Sequence, residues 1–326
     1  MTFKLDLLDK KILNALNENV REPYSRIAKK VRSSKEVVNY RIKRLMDEGI
    51  IKEMVTTFSL GYSAFKILIQ FQKVSSSGEK EILDYLKNHP YANWVTPCSG
   101  NWDLVFSVMA KNPKHFDKIF REIIGEIGDK INDYKIAIST GSLTFGHTYI
   151  LGSVKEAKKK KRDTKPEINF DEKDKKIAKI LHKNCRESLT SIAQKTKIPV
   201  DTVKYRIKKM VENQIIRRYR LILDTSKLGY NRYEIFIRGI NLTDKVIMRF
   251  SEWAKQNKHV EYMGRYIGAW DLELTVNLKS NTDLRKFVLE IKQEFGDQIK
   301  SFESIALFET LNFIYLPLEL QWFVTF

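Results

Sequence analysis

Two short segments combine cations, a tyrosine and small polar groups at helical spacing. In the first, Val38, Ile42 and Leu45 form an apolar stripe, which predicts a helix that follows Ser34 as its N-cap. Away from the stripe lie the candidate DNA-contacting residues Ser34, Lys35, Glu36, Asn39, Tyr40, Arg41, Lys43 and Arg44. Lysine and arginine neutralise phosphates, and asparagine or arginine reads base edges. This chemistry is typical of a helix that enters the major groove of duplex DNA.

The second segment repeats the pattern over Val203, Ile207 and Met210. Its candidate DNA-contacting residues are Asp201, Lys204, Tyr205, Arg206, Lys208 and Lys209, followed by Arg217 and Arg218 in a predicted wing. Asn39 corresponds to Lys204 and Glu36 to Asp201, so we expect two imperfectly related operator half-sites about one helical turn apart. Solvated cationic faces without a partner remain the alternative for both segments.

These segments belong to a long internal repeat. Residues 9–51 and 174–216 are identical at 18 of 43 positions without a gap, and the match continues downstream after a three-residue insertion. The chain therefore contains two copies of the same arrangement, and each copy has two modules. The predicted domains are a winged helix-turn-helix at 1–57, a ferredoxin-like module at 58–151, a basic linker at 152–168, a second winged helix-turn-helix at 169–224 and a second ferredoxin-like module at 225–326.

Charge is concentrated in part of this plan. The chain has 58 Lys and Arg against 40 Asp and Glu, a net charge of +18. The helix-turn-helix modules hold 13 cations against 8 anions and 15 against 7, whereas the ferredoxin-like modules hold 10 against 9 and 13 against 13. The linker adds the cations Lys158 to Arg162, which we interpret as a solvated tether with phosphate contact as a secondary role. The distribution predicts a polyanionic partner for the two N-terminal modules.

The first module of each copy reads as three short helices. Apolar spacing predicts a helix over 7–18, a second near Tyr24, and the third after Ser34, which Gly49 ends. Residues 50–58 alternate as expected for a wing hairpin, and residues 216–221 form the more basic wing of the second copy.

The second module of each copy predicts the order βαββαβ, an α+β fold of ferredoxin-like type. An extra apolar strand is expected at 143–151 and again at 311–316. A four-stranded sheet with an apolar open face should pair, either with the other copy in the same chain or with a second chain in a homodimer or higher oligomer.

Arg41-Ile42-Lys43-Arg44-Leu45, Gly49-Ile50-Ile51 and the later Gly100-x-Trp102-Asp103 resemble the Lrp/AsnC (feast/famine) family of transcription regulators. The resemblance covers nearly the whole chain, twice. It implies a DNA-binding winged helix-turn-helix and a dimerising module that binds a small effector, often an amino acid. The effector candidates implied are Gly100, Trp102 and Asp103, with Gly268, Trp270 and Asp271. The same residues would also serve a tight turn that the tryptophan packs and the aspartate caps.

Two other functions stay open. Siroheme decarboxylases resemble the chain in architecture and also occur as fused pairs; His259 and Arg265 would be the candidates for holding and protonating a tetrapyrrole. The charge distribution argues against an enzyme. A protein that coats DNA without choosing sequence would use the same cations.

Other classes of protein lack support in the sequence. The five histidines lack metal-ligand spacing, no phosphate-binding glycine motif occurs, and Cys98 and Cys185 read as ordinary thiols, so we expect no metal and no cofactor. Charges interrupt the first ten residues, and no apolar stretch approaches membrane-spanning length. We expect a cytoplasmic protein without a membrane partner.

Overall fold

The computed structural model describes residues 2–151 and 170–313. In chain order the helices are α1 Leu7–Glu18, α2 Tyr24–Val31, α3 Lys35–Asp47, α4 Ser76–Asn88, α5 Pro113–Ile127, α6 Thr148–Leu151, α7 Glu172–Lys183, α8 Leu189–Thr196, α9 Val200–Glu212, α10 Asp244–Gln256 and α11 Asn281–Phe295. The strands are β1 Ile51–Phe58, β2 Ser63–Phe71, β3 Ala92–Ser99, β4 Leu104–Ala110, β5 Ile131–Thr144, β6 Ile216–Leu223, β7 Asn231–Gly239, β8 Val260–Gly268, β9 Leu272–Leu278, β10 Ile299–Leu307 and β11 Asn312–Phe313.

The described chain forms two compact units, and each unit takes one module from each copy. The winged unit contains residues 2–61 and 170–228, and the sheet unit contains residues 62–151 and 229–313. Like modules therefore pair within one chain. The predicted linker at 152–168, with its run of cations, lies outside the described residues, and the boundaries between the five predicted segments stay predictions.

The helices of the winged unit begin and end where local chemistry favours it. Asp6 forms a capping box with Asp9 at the start of α1, and the Ser34 hydroxyl accepts the Val37 N–H at the start of α3. Arg32 and Lys197 end α2 and α8 in the left-handed region, at φ 55° and 57°. Glycine is favoured in this conformation, yet Ser33 N–H still reaches the Ala28 carbonyl at 3.0 Å. The helix-turn-helix turn therefore forms without glycine.

The predicted wing hairpins are wrong. Strand β1 pairs antiparallel with β6 of the other copy, with Thr56 opposite Tyr219 and Val55 opposite Arg220. Each copy contributes one strand, because the chain continues from β1 directly into β2 of the sheet unit. Alternation along residues 50–58 indicated a half-buried strand correctly, but it carried no information about the partner. Arg217 and Arg218 accordingly lie on the shared β6.

The sheet unit joins two ferredoxin-like modules edge to edge. Hydrogen bonds link the strands in the order β5-β2-β4-β3 in the first copy and β10-β7-β9-β8 in the second. Strand β5 pairs with β8, and β10 pairs with β3, so eight strands close into a ring. The α+β class and the repeated ferredoxin-like plan are confirmed.

The first of the two expected extra strands is wrong. Residues 143–151 form no separate strand, because β5 itself extends to Thr144 and the short helix α6 follows. Within the second segment, 311–316, residues Asn312 and Phe313 form the short strand β11, which pairs with β3, and residues 314–316 lie outside the described residues.

Alternate residues of each strand serve different cores. On β2, Phe65, Ile67 and Ile69 pack against the helices of their own copy, whereas Leu68 points into the ring. The ring interior also holds aromatic side chains from both copies, including Trp94, Phe236 and Trp270. Two helix-covered cores and one shared interior result. No helix within residues 2–151 and 170–313 is long and apolar enough to cross a membrane.

Candidate nucleic-acid interface and the seams between copies

The outer face of α3 collects most of the predicted DNA-contacting residues. Tyr40 is 64% exposed. Ser34, Lys35, Glu36, Asn39 and Lys43 are exposed beside it on the same helix or at its cap. The buried stripe of Val38, Ile42 and Leu45 fixes this orientation, because it anchors the opposite side of the helix in the core. An amide, a phenol and two ammonium groups therefore share one solvent-facing surface.

Arg41 and Arg44 do not lie on that surface. Arg41 Nη1 lies 3.2 Å from Asp9 Oδ1, and Arg44 Nη2 lies 2.7 Å from Asp9 Oδ2, on the first turn of α1. Arg41 also binds Asp6, whose pKa is lowered chiefly by the hydrogen bond from the Asp9 backbone. Both guanidinium groups are half-buried. Their contacts brace α3 against α1.

In the second copy, too, most candidate residues are exposed on the helix α9, whereas the arginine pairs with a neighbouring helix. Tyr205 is 63% exposed. Asp201, Lys204, Lys208 and Lys209 are exposed on the same helix. Arg206 instead contacts Asp171 at 2.7 Å and Asp174 at 3.1 Å, so it braces α9 against α7. Burial opposes the change, but hydrogen bonds from the Asp174 N–H and from Arg206 lower the pKa of Asp171. On β6, Arg217 is exposed and Arg218 is half-buried.

Two equivalent arginines, one in each helix-turn-helix module, hydrogen-bond to backbone carbonyls of the other module. Arg21 donates to the carbonyls of Cys185 and Glu187, and Arg186 donates to the carbonyls of Val20 and Glu22. These positions correspond one to one between the copies, so each contact occurs twice around an approximate two-fold axis. The exposed faces of α3 and α9 therefore belong to a single braced unit. Identity of Arg21 and Arg186 in the repeat was the only signal available from the sequence.

The predicted effector glycines lie where one copy meets the other in the sheet unit. Gly100 and Gly268 have φ of 133° and 134°, which glycine tolerates best. A Cβ at Gly268 would lie 2.5 Å from the Ile136 carbonyl, and one at Gly100 would lie 3.3 Å from the Ser304 carbonyl. Both glycines thus permit a close backbone approach at the seams that close the ring.

The aspartates beside these glycines accept backbone hydrogen bonds, and the tryptophans beside them are buried. Asp103 accepts the Phe71 N–H at 2.7 Å, and Asp271 accepts the Gly239 N–H at 2.9 Å. Trp102 and Trp270 are 4% and 2% exposed inside the ring. In both loops the glycine makes the turn, the tryptophan packs inside the ring, and the aspartate caps a backbone N–H. Their role in effector binding stays a prediction.

Sequence reasoning missed a buried group of charges in the ring, which we call the ion cluster: Lys66, Glu234 and Glu273. Lys66 Nζ lies 2.7 Å from Oε1 of each glutamate and 4.2 Å from the centre of the Trp94 ring. Burial, reinforced by Glu273, raises the pKa of Glu234 to about 8. Burial opposes the protonated form of Lys66, but the two carboxylates raise its pKa. The open face is thus apolar only in part.

The residues proposed for tetrapyrrole chemistry have separate contacts. His259 Nδ1 lies 3.2 Å from the Asn277 carbonyl, whereas Arg265 is exposed, with Nη2 3.7 Å from Asp244 Oδ1 at the start of α10. Burial raises the pKa of the Cys98 thiol, which disfavours its reactive thiolate. Over residues 2–151 and 170–313 no group of three potential metal ligands occurs.

Comparison with known proteins shows the family. A model described as winged helix-turn-helix DNA-binding matches residues 5–52 and 170–217. An uncharacterised HTH-type transcriptional regulator of Pyrococcus furiosus is 34% identical over 132 residues, which are 39% of this chain and 87% of the relative. A second, from Pyrococcus horikoshii, is 33% identical over 128 residues, 38% of this chain and 85% of the relative.

One solved structure is similar over both copies. The siroheme decarboxylase NirDL is 13% identical, with a TM-score of 0.63 over 97% of each chain. At this identity the likeness shows a shared fold alone. The regulators match in sequence over most of their own length, and both copies carry the DNA-binding module. The chain belongs to the Lrp/AsnC family of transcription regulators, with the family plan present twice.

Proposed function

We propose that the protein binds duplex DNA sequence-specifically through α3 and α9 and regulates transcription from the bound site. The observation that carries this proposal is the pairing of two exposed faces, each with a tyrosine and lysines, in one braced unit. Cations supply affinity for phosphates, whereas side chains that reach base edges supply choice of sequence. Of the predicted set, Arg41, Arg44 and Arg206 act through the positions of the helices.

The two helices share some contacting residues and differ in others. Tyr40 matches Tyr205 and Lys43 matches Lys208, but Asn39 is replaced by Lys204. Asparagine can bond adenine in a bidentate way, whereas lysine favours guanine or phosphate. One chain would therefore read two related but unequal half-sites, and would bind its operator in a single orientation.

Fluorescence anisotropy with a labelled fragment of the gene's own upstream region tests the proposal against a scrambled fragment of equal length. A preference of about 10³ or more across a salt series is expected. Lys204→Ala should reduce the slope of affinity against salt by about 1 if Lys204 contacts phosphate, whereas Asn39→Ala should reduce discrimination without changing the slope. Lys80→Ala, at an exposed position on α4, is the matched control.

The other outcomes separate the competing functions. Equal binding to both fragments with a steep salt slope would favour an architectural protein. No binding to either fragment would contradict DNA binding, and binding of an iron tetrapyrrole would then be measured. The enzyme is the weaker hypothesis, because His259 and Arg265 have unrelated partners and the fold alone supports it.

We propose further that a small effector such as an amino acid acts at the seams formed by the loops of Gly100 and Gly268. Both loops touch the other copy, so a molecule bound there would contact both modules and favour one arrangement of the pair. A thermal-shift screen of the twenty amino acids, followed by DNA titration with each hit, tests this. Unchanged DNA affinity at every salt concentration would refute coupling between effector and DNA.

A further inference from the structure

Two ion pairs in the sheet unit join residues that occupy the same position in the two copies. Lys66 corresponds to Glu234 and Lys135 to Glu303, each 168 residues further along the chain. Lys66 Nζ lies 2.7 Å from Glu234 Oε1, and Lys135 Nζ lies 3.1 Å from Glu303 Oε2. Strands β2 and β7, and β5 and β10, are not neighbours in the ring. Equivalent positions thus face each other across the axis that relates the copies, and at both of them a lysine of the first copy meets a glutamate of the second.

This arrangement favours only one kind of pair. Two first copies, placed in the same way, would bring Lys66 against Lys66 and Lys135 against Lys135. Two second copies would bring together two Glu234 and two Glu273 side chains, with no lysine between them. Lys66 and Glu234 are 6% and 2% exposed as side chains, so water would screen little of the repulsion.

An unsatisfied donor reveals a cost of the charge difference. Glu303 Oε1 accepts the Trp102 Nε1–H and the Asn101 amide, both at 2.8 Å. At the equivalent place in the other copy, Lys135 stands where Glu303 would be, and an ammonium group cannot accept a hydrogen bond. The buried Nε1 of Trp270 has no acceptor among the described residues. The indole N–H of Trp102 therefore has an acceptor, whereas that of Trp270 has none in the described part of the chain. The difference in charge between positions 135 and 303 is present in spite of this cost.

Stability alone does not account for the ion cluster. A buried ion pair is often no better than packed apolar side chains, because desolvation offsets the attraction. Mismatched charges, in contrast, discriminate strongly between partners. A second chain presents the same two sheet surfaces, so its like module is the competitor against which these charges would discriminate.

We propose that the pairs Lys66/Glu234 and Lys135/Glu303 are pairing determinants, which restrict the first sheet module to a partner with second-copy charges. The surface accepts a module with glutamates at the positions of 234 and 303. It rejects a like module of a second chain.

Two reversed full-length chains, co-expressed with different tags, test the proposal. In the first, Lys66→Glu leaves three carboxylates in the ion cluster. In the second, Glu234→Lys with Glu273→Val leaves two lysines; valine is the residue that the first copy carries at the equivalent position, 105. Neither variant has complementary charges alone. Together they restore one glutamate–lysine pair and one wild-type cluster, but only between chains.

The expected result is equimolar co-purification of the two reversed chains, with a native mass of two chains. Differently tagged wild-type chains should not co-purify in this way. Lys80→Glu co-expressed with Glu252→Lys, two exposed reversals on α4 and α10, should behave as wild type. Co-purification of the reversed chains no greater than that of wild type, or a Lys66→Glu chain as stable alone as wild type, would overturn the proposal.

If the reversed chains do not fold, the less buried pair Lys135/Glu303 provides a second test of the proposal. Lys135→Glu and Glu303→Lys should each lower the melting temperature, and both together in one chain should recover most of the loss. In the double variant the carboxylate introduced at position 135 would face Trp270 as Glu303 now faces Trp102. Additive losses, with no recovery in the double variant, would contradict pairing by complementary charge.

Discussion

The winged unit and the sheet unit join the same two copies by different rules. In the winged unit Arg21 and Arg186 make the same contact twice, each on the backbone carbonyls of the other module. In the sheet unit the equivalent residues Lys66 and Glu234 make one contact that cannot be exchanged. The first interface is self-complementary, like that of an ordinary two-fold dimer. The second is complementary only between unlike copies.

This difference separates two tasks within one chain. Backbone carbonyls accept from an arginine whatever the surrounding sequence, so the arginine brace puts no restriction on which copy pairs with which. Side-chain charges differ between copies, so the sheet interface does. Choice of partner therefore belongs to the sheet unit, and the winged unit is free to diverge at Asn39 and Lys204, where DNA would be read.

The largest effect should come from removing the only cation of the ion cluster. Lys66→Met leaves Glu234 and Glu273 buried and unpaired, and we expect the free energy of unfolding to fall by about 3–5 kcal/mol. Urea unfolding measures the loss. Lys80→Met on exposed α4 is the control, which should change stability little. A loss for Lys66→Met as small as that of the control would show that the cluster is not a buried ionic contact.

The arginine brace should respond symmetrically. Arg21→Met and Arg186→Met each remove hydrogen bonds from a charged donor, which typically contribute about 1.5–3 kcal/mol. We expect losses of similar size in the two variants, because the carbonyl contacts are equivalent; Arg186 should lose somewhat more, since its guanidinium lies 4.2 Å from the centre of the Tyr24 ring, whereas that of Arg21 lies 5.5 Å from the Tyr219 ring. Thermal unfolding of both variants checks this. Clearly unequal losses would break the symmetry on which the comparison of the two units depends.

Glu234 should give the sheet unit a pH dependence that the brace lacks. Burial raises its pKa to about 8 from the ordinary 4.5, so between these values the folded state holds a proton that the unfolded state has released. Stability from this group is therefore complete below about pH 4.5 and is lost as pH rises towards 8. Glu234→Gln should flatten the fall of unfolding free energy between pH 5 and 8.

Other carboxylates act outside this window. The lowered pKa values of Asp6 and Asp171 stabilise the fold above their unfolded pKa, and that contribution is lost only under acid conditions. An equally steep fall in wild type and Glu234→Gln between pH 5 and 8 would assign the dependence to a different group.

The smallest effect concerns the helix caps that differ between the copies. Ser34 caps α3 through its hydroxyl, whereas Pro199 at the start of α9 makes no side-chain cap. Ser34→Ala should cost about 1 kcal/mol. Amide hydrogen exchange at Val37, whose N–H the hydroxyl accepts, should quicken accordingly. Exchange at Thr202, the equivalent residue in the second copy, should stay unchanged.

Local pattern predicted the local structure well. The apolar stripe over Ile12, Leu13 and Leu16 gave α1 its correct bounds, and Ser34 was identified as a cap that the structure contains. The ferredoxin-like order followed from strand and helix alternation in each copy. These features depend on residues a few positions apart, whose spacing is visible in the sequence.

Contacts between the copies were not predictable in this way. The partner of β1 lies about 165 residues away, so its alternation indicated a strand but suggested the wrong partner. Arg41, Arg44 and Arg206 looked like DNA contacts because helical spacing does not reveal a carboxylate on a neighbouring helix. Lys66 lies in an apolar strand, and only comparison with Glu234 at the equivalent position could have marked it as buried and paired.

The charge difference between equivalent positions also has an evolutionary consequence. A descendant that lost either half of the gene would have to pair its remaining copy with itself, and would bring together either two lysines or a group of carboxylates. Reversion would need changes at several sites at once. Divergence at Lys66 and Glu234 therefore makes the loss of either copy unfavourable, because a single copy could no longer pair with itself.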